Sequence, residues 1–395
     1  MAGKRILLAG ELSRGVATAN RLLPLAAALA GRGHEITLAL PPPLNTALAA
    51  SVGVPTRESP VWGLPPPPGF IAISYADLLQ LGGYATPGSL NPLLDGWSAL
   101  LTQTTPDLLI SDFAPTAMLA ARLAGVKQAA VGDGYSLPPP GRPMPLLRPW
   151  AEIAPGAAAD AEGRVLAVID ACLMGRNARG VRALRDLFRG APSFLCTFLE
   201  LDHYPIRADG EWYGEVFQVA AGPQGEWPKG QGERIYIDLD ARHPAIGPLI
   251  EVLARLGLPT LLQGAGMAQA LAAEIAKPNV KVTTSTSRSA LVEASDIVIC
   301  QSADAAIPAL LNGKPLLMLP VFVEQMMTLH RVASQGMGHG LSPDSDAAEL
   351  DAALRRLVDD SVCRQHAANF GRSYNGYTPD IALDAVVEGI EDLLA

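Results

Sequence analysis

The stretch Pro106-Asp107-Leu108-Leu109-Ile110-Ser111-Asp112-Phe113-Ala114-Pro115-Thr116 decides the fold. Leu108 to Asp112 is a short apolar run closed by a carboxylate, the length and composition of a strand buried on both faces. Three residues on, Pro115 suits the first turn of a helix, where the leading N–H has no intrahelical partner to lose. That helix is read to Ala124, and residues 127–131 supply the next strand. Working outward, residues 5–9 and 35–40 are two further strands, joined by an Ala/Leu-rich helix at 21–30 that ends at Gly31 and Gly33. Strands that alternate with helices and are apolar throughout imply a parallel sheet covered on both faces.

Residues 164–189 read as largely helical, and 193–198 return to the sheet. Glycines and prolines then crowd into 221–232, the composition of a linker. Beyond it the alternation restarts, with strands at 235–239, 259–263, 280–284, 296–300 and 315–319. Helices are expected between them at 244–256, 267–275, 287–293, 308–311 and 324–335. The expected class is α/β, with two facing Rossmann-like domains at 1–220 and 221–377. Two such layers place a ligand cleft at the carboxyl ends of their strands.

Composition agrees and excludes several functions. The 395 residues are 49% hydrophobic and only 17% charged, enough apolar material for two cores. A formal charge of -9 argues against a nucleic-acid partner. Mean hydropathy is +0.21, yet runs such as 22–30 and 316–323 fall well short of the roughly 20 residues of a membrane span. Residues 4–9 lack the longer apolar core and cleavage site of a secretory signal, so a cytoplasmic location is expected. Cys172, Cys196, Cys300 and Cys363 are scattered without metal-ligand spacing and read as reduced core residues. Two proline-rich loops, at 65–68 and 138–140, are flanked by Trp62, Phe70, Tyr75 and Trp150. Both the wall of a ligand site and plain surface covering fit them.

Several segments carry a family resemblance. Arg21-Leu22-Leu23-Pro24-Leu25-Ala26, Arg32-Gly33-His34-Glu35, the 106–116 stretch, residues 279–300, Gly313-Lys314-Pro315-Leu316-Leu317, Pro320 and Glu324-Gln325 follow in order. Together they resemble the bacterial family 1 glycosyltransferases of GT-B fold that glycosylate macrolides and other small molecules. The resemblance implies a GT-B architecture, with acceptor on the N-terminal domain and nucleotide sugar on the C-terminal one. It implies a segment at 378–395 whose helix, 380–394, crosses back to the first domain. It also implies transfer of a hexose from a UDP- or dTDP-sugar to a small apolar acceptor in natural product biosynthesis. The nucleotide sugar is then a substrate, and no cofactor is needed.

The chain departs from that family at two places. Where the family has Gly-His before Leu-Leu-Pro, this sequence has Ala17 and Thr18. A positioned base speeds attack by a hydroxyl about 10²–10⁴-fold, and a threonine cannot supply it at neutral pH. Asp112 matches the aspartate that orients the family's histidine, here without that partner. It reads either as the general base itself or as the N-cap of the helix at Pro115. After Cys300 the family's His-Gly-Gly is replaced by Gln301-Ser302-Ala303-Asp304, and Pro308 follows. Asp304 puts negative charge where a diphosphate belongs, and Pro308 is expected to delay the helix start.

Thr283-Thr284-Ser285-Thr286-Ser287 stands where the family often has an aromatic beside a proline. Glu324 and Gln325 match a sugar-contacting pair, or form the polar first turn of their helix. Arg242 with His243 reads as an anion-binding pair or a solvated loop, and Ser302 as a helix cap or a phosphate donor. His34 and His330 read as structural. The candidates are therefore Asp112 and Thr18 for catalysis, and Gln301, Ser302, Asp304, Glu324, Gln325, Arg242 and Ser287 for the donor. Two alternatives stand beside transfer. One is a catalytically silent GT-B protein that binds a ligand or partner, and the other an enzyme of altered chemistry with Asp304 on a cationic or neutral ligand.

Overall fold

Two parallel six-stranded sheets organise the chain. The structure, a computed structural model, describes residues 3–13, 17–42, 53–63, 69–207, 210–216, 225–264, 266, 275–284 and 286–395. The chain divides into two units, Met1–Gln218 with Thr378–Ala395, and Val219–Tyr377.

In the first unit, β1 (Arg5–Gly10), α1 (Ala17–Gly31), β2 (Glu35–Leu40) and β3 (Thr56–Glu58) are followed by α2 (Tyr75–Leu79) and α3 (Pro87–Thr104). Then come β4 (Leu108–Asp112), α4 (Pro115–Ala124), β5 (Lys127–Gly132), α5 (Ala157–Met174) and β6 (Ser193–Leu195). The strand order is β3-β2-β1-β4-β5-β6. Leu7, Ala9 and Leu109 face a core shared with Leu94 and Trp97 of α3, all at most 1% exposed. A Cβ at Gly10 would lie 2.6 Å from the Thr18 methyl, so the glycine is what lets α1 press onto the end of β1.

The second unit runs β7 (Ile235–Asp238), α6 (Ile246–Leu256), β8 (Thr260–Gln263), β9 (Val280–Val282), α7 (Arg288–Ala294), β10 (Ile297–Cys300) and α8 (Ala303–Leu311). It ends with β11 (Leu316–Met318), α9 (Val323–Ser334), β12 (Gly338–Gly340), α10 (Ala347–Asp359) and α11 (Ser361–Ser373). Its order, β12-β11-β10-β7-β8-β9, read in reverse from its own first strand, repeats that of the first unit. Ile235, Ile237, Ile297 and Ile299 pack against Leu249, Leu253, Leu350 and Leu354.

The last helix, α12 (Pro379–Leu394), is capped by Thr378 and belongs to the first unit. Arg32 holds Glu391 at 2.6 Å, and Gly389 fits against Phe194. Among the described residues no helix is long and apolar enough to cross a membrane.

The structure corrects several readings. The helix at 308–311 is in fact α8, beginning at Ala303 and carrying Pro308 within it, so the proline does not delay its start. The proline has no N–H to donate, but its neighbours Ile307 and Ala309 are buried, and packing outweighs the lost bond. The 164–189 helix is α5, and it stops at Met174. The 267–275 helix, the 65–68 loop and Ser285 lie wholly or largely outside the described residues.

Candidate active site

Each sheet has a point where the chain reverses its direction of strand addition, and ligands of such folds bind beyond the carboxyl ends of the strands there. In the first unit this point lies between β1 and β4, whose register pairs Gly10 with Asp112. Asp112 is 1% exposed, and its Oδ2 accepts from Arg21 Nη1 at 2.7 Å. Arg21 lies one turn beyond Thr18 on α1. Its Nη2 stands 3.4 Å from Glu215 and 3.8 Å from Asp133. In place of the histidine that the resemblance implies, an arginine from the next turn of α1 stands against Asp112.

Burial works against the charge of Arg21, but Asp112, Glu215 and Asp133 outweigh it and hold the guanidinium firmly protonated. Burial pushes the Asp112 carboxyl up, while Arg21 and the Thr18 hydroxyl pull it down, and the net shift is upward. Burial also acts on Asp133, yet the neighbouring His203, Arg21 and the bonds from Ser136 hold it below the usual range. Asp112 Oδ1 and Arg21 Nε are buried with no hydrogen-bond partner among the described residues. His203 accepts from the Tyr135 N–H through Nδ1 at 3.1 Å, which occupies the lone pair a base would use.

Asp112 does not cap α4. Glu11, just past β1, accepts from Thr116 N at 2.9 Å and takes that place. Burial pushes the Glu11 carboxyl up to about 8. Phe113 has φ of 50°, a conformation that a bulky residue adopts only under constraint. Its ring meets Tyr75 at 6.2 Å and Tyr135 at 5.5 Å between centroids.

The corresponding point of the second unit lies between β7 and β10. Asp238 closes β7 and accepts from Tyr236 Oη at 2.9 Å and from Arg288 Nε at 2.8 Å. Burial acts against the Arg288 charge, but Asp238, Tyr236 and Asp304 raise it overall. Asp304, in the first turn of α8, is thus brought near a cation. Gln301 accepts from Asp240 N at 2.9 Å and ties the end of β10 to the loop after β7. Ser302 stands at the N-cap of α8, but its side chain makes no capping bond. Ser287 precedes α7 and bonds Ser289 at 2.7 Å.

On α9, Gln325 folds back to accept from Val321 N at 2.8 Å and Phe322 N at 3.2 Å. Glu324 beside it accepts from Thr328 at 3.4 Å. Arg242 and His243 do not form a pair facing one ligand. The Arg242 side chain is 92% exposed on Asp240, whereas His243 is buried and bonds the Leu319 carbonyl at 2.9 Å. Sequence reading missed Arg21, Asp133, Glu215, Glu11, Asp238 and Arg288. A cation inside the otherwise buried run Arg21-Leu22-Leu23 was the one local signal.

Among solved structures, the chain resembles the glycotransferase of kitacinnamycin at 19% identity and a TM-score of 0.73, covering 99% of both chains. It resembles the calicheamicin glycosyltransferase at 19% identity and 0.71, covering 98% of each. The glycosyltransferase VinC, solved with dTDP, gives 16% and 0.68, again over 98% of each. The fold is GT-B. No family model and no curated protein matches the sequence. Within the GT-B frame, the reversal points are where Asp112 and Arg21 in one unit, and Asp238, Arg288 and Asp304 in the other, come together.

Proposed function

We propose that this chain is a cytoplasmic glycosyltransferase that moves a sugar from a nucleoside diphosphate donor to a small apolar acceptor. The observation that carries this is full-length similarity to natural-product glycosyltransferases, one solved with dTDP and another, a spinosyn rhamnosyltransferase, with its aglycone. The nucleotide sugar is substrate, so no further cofactor is required. The acceptor belongs to the first unit, where the partly exposed Tyr135, backed by the buried Phe113, stands beyond the strand ends. The donor belongs to the second, toward Ser302, Asp304, Glu324 and Ser287. Arg288 provides the cation there, and Gln301, Gln325 and Arg242 shape the loops around it.

In the transfer, the acceptor oxygen bonds to the anomeric carbon as the bond from that carbon to the diphosphate oxygen breaks. The nucleoside diphosphate leaves, and the acceptor loses its proton. Asp112 Oδ1 takes that proton in this reading, while Arg21 fixes Oδ2 and Thr18 steadies the carboxyl. The raised Asp112 carboxyl is a better base than an ordinary aspartate.

Mass spectrometry of the chain incubated with dTDP- and UDP-sugars and a panel of macrolide and aromatic acceptors should show an acceptor gaining one sugar. Asp112→Asn should slow that transfer about 10²–10⁴-fold and leave nucleotide binding intact. An undiminished rate would remove Asp112 from the role.

A further inference from the structure

We propose that His339, Asp360 and Cys363 form a binding site for a zinc-class divalent metal in the second unit. His339 lies on the edge strand β12, Asp360 precedes α11, and Cys363 sits in the first turn of that helix. One ligand atom from each residue lies within 4.8 Å of the other two. His339 Nε2 and Asp360 Oδ2 are 3.0 Å apart. Around a tetrahedral zinc with bonds of about 2.0–2.3 Å, ligand atoms stand roughly 3.3–3.7 Å from one another. The three side chains therefore need shifts of about an ångström to surround an ion.

The remaining contacts support this set. The other Asp360 oxygen accepts from Cys363 N at 2.8 Å, which fixes the aim of the carboxylate, as outer contacts do around metal ligands. Nitrogen, oxygen and sulfur together select zinc or cobalt over magnesium or calcium. The His339 and Asp360 side chains are 25% and 23% exposed, which leaves an entry path and a fourth position for water. Cys363 is 3% exposed, so its sulfur is screened from solvent. Burial and then the Asp360 carboxylate push the Cys363 thiol up to about 11, against the smaller pull of Arg364 and Arg356, and Arg364 is paired with Glu233 at 3.0 Å.

On loading, the Cys363 thiol proton passes to water as the metal–sulfur bond forms and the ion sheds waters. The proton that His339 Nε2 directs at Asp360 leaves to water while Nδ1 takes one up, which frees the Nε2 lone pair for the ion. The ion would clamp the edge strand to α11, and it has no part in the sugar transfer proposed above.

The test is titration of the chelator-treated full chain with Co(II), followed by absorption, and with Zn(II), followed by calorimetry. One equivalent should bind with a near-ultraviolet thiolate-to-cobalt band, and zinc should raise the melting temperature. His339→Gln should weaken binding at least about tenfold, and Cys363→Ser should abolish the band. Because Cys363 is buried, His339→Gln on the partly exposed strand decides the matter if Cys363→Ser does not fold. A wild-type chain without the band, or His339→Gln binding as tightly as wild type, would overturn the site.

Discussion

The reversal points of the two sheets share one strand order and treat a single arginine in opposite ways. In the first unit Arg21 is 4% exposed and ringed by Asp112, Glu215 and Asp133. In the second, the Arg288 side chain is 44% exposed and held by Asp238. Topology supplies the place for a ligand, and burial decides what the charge there does. A buried guanidinium among carboxylates holds the structure as well as any chemistry, because each partner is costly to leave alone. A half-exposed one paired with a single carboxylate costs less to part from its partner.

The largest effect should come from Arg21→Met. It strands three carboxylates, and urea unfolding should show a loss of about 3–5 kcal/mol. Next is Glu11→Gln, which keeps the acceptor for Thr116 N but cannot ionise. The Glu11 carboxyl is raised from 4.5 to about 8 on folding. The stability it contributes is therefore complete below pH 4.5 and is lost as pH rises through 8. Wild type should weaken across that window relative to Glu11→Gln, by about 2–4 kcal/mol at pH 9. Parallel pH curves would contradict this. Smallest is Arg288→Gln, whose ion pair with Asp238 should cost at most about 1 kcal/mol of stability. A large loss for Arg288→Gln, or none for Arg21→Met, would erase the contrast between the two points.

What was legible follows the same division. β2 and β4 were readable to the residue, since apolar runs bounded by glycine, proline and charge are local signals. The 18 residues of α3 were not, because Pro87, Gly88, Pro92 and Gly96 mimic a loop until Thr86 caps the helix and packing holds it. Pro308 misled in the same way. The site was less legible still. Arg21 and Asp112 are 91 residues apart, and only the register of β1 against β4 joins them. Glu11 capping α4 crosses 105 residues. His339 and Asp360 stand on different elements, so no spacing rule reveals them. Asp112 was visible as a position, but its surroundings were a property of the folded chain.

The central claim is that the GT-B frame still takes a nucleotide donor despite Gln301 and Asp304. Calorimetric titration of the full chain with dTDP and with UDP tests it most directly. Saturable binding of one nucleotide per chain is predicted for at least one of the two. Absence of heat for both at millimolar nucleotide would contradict it.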